Sequence, residues 1–382
     1  MDLLSYAKSL SPRLSDLRRR LHACPETGFS LPQTTALIRA ELEEIGLDPV
    51  IGKSGFITAE IGPGDGETVL LRADVDALPL REEAPEAFAA QNGNMHACGH
   101  DLHAASLLGA ARILKATEGS MTRRVRFLFQ PAEELLEGAA AAVEEGICEG
   151  VSAAYMLHVA VNTGLPAGTV ILPPEGQIAP SADYFEISLR GKGCHGADPA
   201  SGVDPLSGAA RILLGFQHLT SRELPSGASA VVTVGSVHGG DAYNVIPDSA
   251  RLQGSLRCYG DRFRLRLQSR IEEISRYTAQ AFGLSSEVRF PAGCPSLIND
   301  PALRRTALPI LQSLLNDRLL VAPQGPSGTA GSEDFAVISR AVPSLMLALA
   351  AGDPGVGLHH PKVTFDESSL PYGAATLASL AL

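Results

Sequence analysis

The run VRFLFQPAEE, Val125–Glu134, is an apolar strand that ends in two adjacent glutamates. Three more short apolar runs read the same way: TVLLR at Thr68–Arg72, AAYML at Ala153–Leu157 and SLMLALA at Ser344–Ala350. Before and between them lie segments of helical period at Thr34–Ile45, Ala104–Ala116, Ala139–Glu145 and Ala302–Asn316. Apolar strands alternating with helices predict an α/β domain built on a mainly parallel sheet flanked by helices.

The texture changes near Asp183. Tyr184–Arg190 alternates apolar and polar residues, as does Ser229–Val237, and Ala250–Arg257 adds a third strand. Helical segments at Asp204–Leu219 and Arg262–Ala281 separate these strands. Alternation with period two marks a sheet wetted on one face, so an α+β domain is expected here. After about Pro291 the α/β pattern returns. The expected organisation is one α/β domain in two segments, 1–182 and 292–382, interrupted by an inserted domain at 183–291. A chain of 382 residues is also longer than one hydrophobic core usually serves.

Composition narrows the function. Apolar residues make up 45% and charged residues 19%, a globular balance. With 31 Lys and Arg against 42 Asp and Glu the net charge is −11, which argues against nucleic acid or an anionic membrane as partner. No apolar run approaches the ~20 residues of a membrane helix. The six cysteines are scattered with no C-x-x-C, and the N-terminal MDLLSYAKSLSPRLSDLRRRLH reads as an amphipathic helix rather than a secretory signal. A cytoplasmic protein is expected.

The chemistry concentrates in MHACGHDLH, Met95–His103, at a helix start. Thiolate sulfur and imidazole nitrogen suit zinc and related divalent ions, and packing does not explain such a density of them. QPAEE at Gln130–Glu134, His158 after AAYML, Asp74 and Asp76 after TVLLR, and LHHP at Leu358–Pro361 after SLMLALA each lie just past a strand. In open α/β sheets that edge collects ligands and catalytic groups, so these groups are expected to converge. Of two adjacent glutamates, one can ligate metal while the other faces substrate as a base. GKGCHG at Gly191–Gly196 matches G-x-G-x-x-G, but the prolines and glycine that follow forbid an immediate helix, which excludes a dinucleotide site. No G-x-S-x-G is present for a serine hydrolase.

In this order these stretches resemble the M20 metallopeptidase family, in its branch of hippurate hydrolases, N-acyl-amino-acid deacylases and plant auxin-conjugate hydrolases. The resemblance rests on LRRRLHACPETGF (17–29), LRADVDALPL (71–80), MHACGHDLH, QPAEE, GKGCHGADP (191–199), GGDAYNVIP (239–247), GSEDF (331–335) and LHHP. It implies a zinc-peptidase-like catalytic domain with an inserted lid and dimerisation domain, and a homodimer or higher homo-oligomer. It implies two divalent ions (Zn, Mn, Co or Ni) held by Cys98, His100, Glu134, His158 and His359. His359 is preferred over His360 because the family motif is Leu-His-x-Pro. Glu133 is then the general base and Asp74 the aspartate supporting the metal centre. His195 matches a lid histidine that reaches the reacting carbonyl, and Asn244 and Arg257 match lid positions near the substrate carboxylate. Gly196 stands where the family usually has Ala, which predicts a slightly looser loop. The implied activity is hydrolysis of the amide bond in a small N-acylated amino acid. A dipeptidase or carboxypeptidase of the same family is the alternative, and a non-catalytic metal-binding protein the remoter one.

Overall fold

The computed structural model describes residues 1–64, 66–323 and 331–382. The described chain divides into two compact units. One contains Met1–Ile178, the segment from Ile298 and Asp334–Leu382; the other contains Ala179–Leu297 with a short segment ending at Glu333.

The first unit is built on an eight-stranded sheet. In spatial order its strands are Val50–Ile51, Ile57–Ile61, Arg124–Gln130, Thr68–Asp74, Val151–Ala160, Ser344–Ala350, Val170–Leu172 and Leu319–Val321. The central four run parallel. Ile57–Ile61 and Val170–Leu172 join them antiparallel, so the flanks of the sheet are mixed. Every residue of Thr68–Asp74 is buried, which is why the parallel strands read as apolar runs rather than alternating ones. Register sets the function of the edge. Asp74 pairs with Gln130, and Arg72 pairs with Met156, two residues before His158. The strands therefore deliver their last polar residues at one level.

Helix His100–Ala116 buries fourteen of its residues. It packs beside helix Leu370–Ala381, which is also buried almost throughout. Gly109 is what lets them approach: a Cβ there would lie 2.7 Å from the Ala374 Cβ and 2.9 Å from a Leu14 methyl. At the N-terminus the single amphipathic helix expected from sequence is two, Leu3–Ser9 and Ser11–His22, because Pro12 takes the first turn of the second, where its missing N–H costs nothing.

In the second unit Ser181–Arg190, Ser249–Cys258, Ala230–His238 and Ser285–Arg289 form an antiparallel sheet, with Ala230–His238 and Ser285–Arg289 at its edges. Phe185, Ile187 and Leu189 face a core shared with Ile212 and Phe216 of helix Pro205–Arg222 and Leu267 and Ile271 of helix Asp261–Ala281. Among the described residues no helix is long and apolar enough to cross a membrane.

Gly109→Val should overpack the contact between helices 100–116 and 370–381 and destabilise the protein by about 1–3 kcal/mol. A thermal melt several degrees below wild type is the expected result, and an unchanged melting temperature would show that the two helices do not depend on that close approach.

Candidate metal centre

Local chain geometry brings the polar groups in from different segments. After Gln130 the chain makes a tight turn in which Leu136 N–H donates to Glu133 O over 2.7 Å. Ala132 and Leu136 both take left-handed backbone, with φ of 57° and 59°. His359 does the same at φ 62°, and its N–H donates to Ala97 O over 3.0 Å. Left-handed backbone at residues with a Cβ costs of the order of 1–3 kcal/mol. Three such residues beside Glu133, Glu134 and Cys98 mark a site whose geometry is imposed by its surroundings.

Ligand atoms of Cys98, His100 and His158 lie within 4.8 Å of one another, as do those of Cys98, Glu134 and His359, and those of His100, Glu133 and Glu134. Cys98 Sγ is 3.5 Å from His158 Nε2, His359 Nε2 is 3.4 Å from Glu134 Oε1, and His100 Nε2 is 3.9 Å from Glu133 Oε2. All five residues expected as ligands thus meet at one place, with the expected base beside them. His360 enters none of these groups among the described residues; its ring accepts from the Lys362 N–H instead.

The donor set suits divalent ions. Buried His100 Nε2 has no hydrogen-bond partner among the described residues, while Nδ1–H of the same ring donates to Asp76 O over 2.9 Å. An imidazole held through one nitrogen and open at the other, beside a thiol and carboxylates, is how a histidine is presented to a metal. His103, Asp74 and His100 also come within 4.8 Å of one another, but His103 is already committed. Its Nδ1–H donates to Asp74 Oδ1 and its Nε2 accepts from Val159 N–H, so it supports Asp74 rather than a cation.

The electrostatics follow from buried carboxylates. Burial pushes the Cys98 thiol upward, and the charges of Glu134 and Glu133 add to this. Burial opposes a charge on His100, yet Asp74 and the hydrogen bond to Asp76 raise it well above its ordinary value. Burial alone would raise Asp74, but His100, Arg72 and His103 outweigh it and hold the carboxyl well below the usual range. Burial lowers His103 and His158 to about 4, which keeps both neutral. Protons and metal ions compete for such a site, so ion binding here weakens as pH falls.

Two supporting groups were not assigned from sequence. Asp76 accepts the Glu133 N–H at 3.0 Å on one oxygen and the Glu134 N–H at 3.1 Å on the other. With its own carbonyl on His100, it ties both glutamates and a ligand histidine together. Arg72 donates to Asp74 at 2.7 Å, Gln130 at 2.9 Å and Asp334 at 2.8 Å, wholly buried. A charged residue inside the apolar run TVLLR was the available signal, since a buried guanidinium requires carboxylate partners.

His195, Asn244 and Arg257 belong to the second unit. The short strand Cys194–His195 pairs with Val245–Ile246, leaving the His195 side chain exposed. Asn244 is exposed and its carbonyl accepts the Gly196 N–H at 2.7 Å. A Cβ on residue 196 would lie 2.9 Å from that carbonyl oxygen, so the glycine permits a close approach of two loops rather than loosening one. Arg257 Nη1 donates to Ser332 Oγ over 3.0 Å.

Comparison with known proteins shows what the chain as a whole is similar to. The description Peptidase family M20/M25/M40 matches residues 70–382. An N-acetyl-L-cysteine deacetylase from Bacillus subtilis is 36% identical over 365 residues, covering 95% of this chain and 86% of that protein. An IAA-amino acid hydrolase from Arabidopsis thaliana is 36% identical over 379 residues, covering 96% and 84%. Among solved structures, a dinuclear metal-binding M20 peptidase from Bacillus subtilis superposes with a TM-score of 0.80 at 33% identity over 98% of both chains.

Asp76→Asn would turn an amide NH2 against one of the two backbone N–H groups it now accepts. Leaving that donor unmet should cost about 1–3 kcal/mol and slacken the Glu133–Glu134 turn. A lower melting temperature together with weaker uptake of divalent ions is expected; wild-type values for both would contradict the clamp.

Proposed function

The chain belongs to peptidase family M20/M25/M40, and we propose that it is a deacylase of small N-acylated amino acids with Glu133 as its general base. It is a metal-dependent amide hydrolase. The observation that carries the finer reading is the meeting of Cys98, His100, Glu134, His158 and His359 with Glu133 at one edge of the sheet. In this reading those five residues hold two divalent ions, drawn from zinc, manganese, cobalt and nickel. When bound, the ions supply Lewis acidity, which makes water nucleophilic at neutral pH and opposes the charge developing on the carbonyl oxygen.

The protein groups do the rest. Glu133 is nearly buried, and its carboxylate is fixed by Asp334 N–H at 3.4 Å and by the Asp76 clamp on its own N–H. It takes the proton from water as the new C–O bond forms and delivers it to the amide nitrogen as the C–N bond breaks. Asp74, held by Arg72 and His103, supports His100 at 3.7 Å. His195 donates a hydrogen bond to the carbonyl oxygen as it gains charge, and Asn244 and Arg257 bind the carboxylate of the amino acid. The exposure of His195 and Asn244 and the guanidinium of Arg257 support those roles.

The names of the relatives favour N-acyl amino acids as substrates: one is an N-acetyl-L-cysteine deacetylase and another an IAA-amino acid hydrolase. We further assign a homodimer formed through the second unit, where Ala230–His238 is an edge strand with Val231 and Val237 exposed. A cytoplasmic location fits six free thiols.

Glu133→Gln should retain its metal content and lose about 10²–10⁴-fold in kcat; comparable kcat would remove Glu133 from the chemistry. Cys98→Ala should lower metal stoichiometry, since it deletes the site's soft ligand, and unchanged metal analysis would defeat that assignment. On a panel of N-acetyl, N-benzoyl and dipeptide substrates the acylated amino acids should turn over fastest. Preference for free dipeptides would favour a dipeptidase instead.

A further inference from the structure

LRRRLHACPETGF carries part of the family resemblance, yet none of its residues enters the chemistry above. Its histidine is buried in an ionic cluster of its own. His22 Nδ1–H donates to Asp101 Oδ2 over 2.8 Å, and Nε2–H donates to Glu82 Oε1 over 2.9 Å. Arg18 Nε shares the same Asp101 oxygen at 2.7 Å, and Arg18 also reaches Glu367 at 3.2 Å. The Phe88 ring meets His22 edge-on at 5.3 Å and lies 4.7 Å from the Arg18 guanidinium. His96 stands 6.3 Å away, ring to ring.

Of the two carboxylates that His22 joins, one lies on a ligand-bearing segment and the other on a loop hydrogen-bonded to the His359 segment. Asp101 follows His100 directly. Glu82 precedes Glu83, whose N–H donates to Pro361 O at 2.7 Å, two residues beyond His359. His359 N–H in turn donates to Ala97 O at 3.0 Å, beside Cys98. The contacts close a circuit, from His100 through Asp101, His22, Glu82, Glu83 and Pro361 to His359, and back through Ala97 to Cys98. Glu82 also accepts the Ala90 N–H at 2.7 Å, which fixes the intervening loop.

We propose that His22 is a positioning residue for the metal centre, its ring the link that holds the His359 segment in register with the Cys98–His100 segment. This rests on the reading of those residues as ligands. Neither ring nitrogen touches a ligand side chain, so His22 acts only through Asp101 and Glu82. Supporting groups one step from the ligands are worth about 10–100-fold in metal affinity.

The link is charged at neutral pH. Burial opposes the imidazolium, and Arg18, 3.4 Å from Nδ1, opposes it too, but Asp101 and Glu82 outweigh both and raise His22 to about 9. Neutral His96, lowered to about 3 by burial, adds no charge. Because the folded value lies above the ordinary 6.5, the contribution of the cation is complete below pH 6.5. It is lost as pH rises through about 9.

The test is zinc(II) and manganese(II) affinity, by competition with a chromogenic chelator, for wild type, His22→Ala, His22→Asn and His22→Gln. Measurements are made at pH 7 and 9.5, with thermal melts of each metal-free protein. Asn can keep the donor toward Asp101 and Gln the one toward Glu82. His22→Ala should bind about tenfold or more weakly at pH 7, with Asn and Gln intermediate, and the gap to wild type should narrow at pH 9.5. If Ala fails to fold, the Asn and Gln variants carry the comparison. Metal-free melts that fall while affinity stays at the wild-type value would overturn the proposal, leaving His22 a purely structural residue. A gap that does not depend on pH would overturn the charged link. Wild-type protein that takes up neither ion would overturn the metal-centre reading itself, and this inference with it.

Discussion

A carboxylate taken out of water survives only beside a cation or several hydrogen-bond donors, and Asp74, Asp76, Asp101, Glu133 and Asp334 are all buried around this sheet edge. The architecture around them is largely an answer to that constraint. Arg72 sits inside a parallel strand to serve Asp74 and Asp334 together. Asp76 is served by two backbone N–H groups, and Asp101 by Arg18 and His22. Glu133 and Glu134 face imidazoles and a thiol, where divalent ions would be the matching countercharge. The helices and the parallel centre of the sheet make the edge dry enough for those charges to act strongly on one another.

Fixed charges of this kind set protonation as well as shape. His103 is kept neutral with its proton toward Asp74, so its Nε2 accepts from Val159 N–H and steadies the strand end next to His158. His22 goes the other way, becoming an imidazolium because carboxylates meet both its nitrogens. Two buried histidines thus carry different charge states, His103 neutral and His22 cationic, each chosen by its partners.

Much of the frame was legible in the residues because burial on both faces leaves apolar runs: TVLLR, VRFLFQ, AAYML and SLMLALA are the four central strands. Alternation in YFEISLR gave the second sheet in the same way. The strands Val50–Ile51 and Leu319–Val321 were not legible, since two or three residues cannot show a period. MHACGHDLH announced its chemistry through composition alone. Asp76 and His22 did not, because each acts through contacts with residues tens of positions away, and nothing in their immediate neighbours distinguishes them from a surface aspartate or a helix-end histidine. Asp74 and Asp76 look equivalent in LRADVDALPL; only the fold separates the one that braces His100 and His103 from the one that clamps the two glutamates.

The central claim is that five residues from four segments of the chain share bound cations. It is tested most directly by an anomalous difference map from a crystal of the protein grown with manganese(II). The account predicts two peaks, both within coordination distance of side chains from the set Cys98, His100, Glu134, His158 and His359. A map with no peak at these residues, in protein that binds manganese in solution, would contradict it.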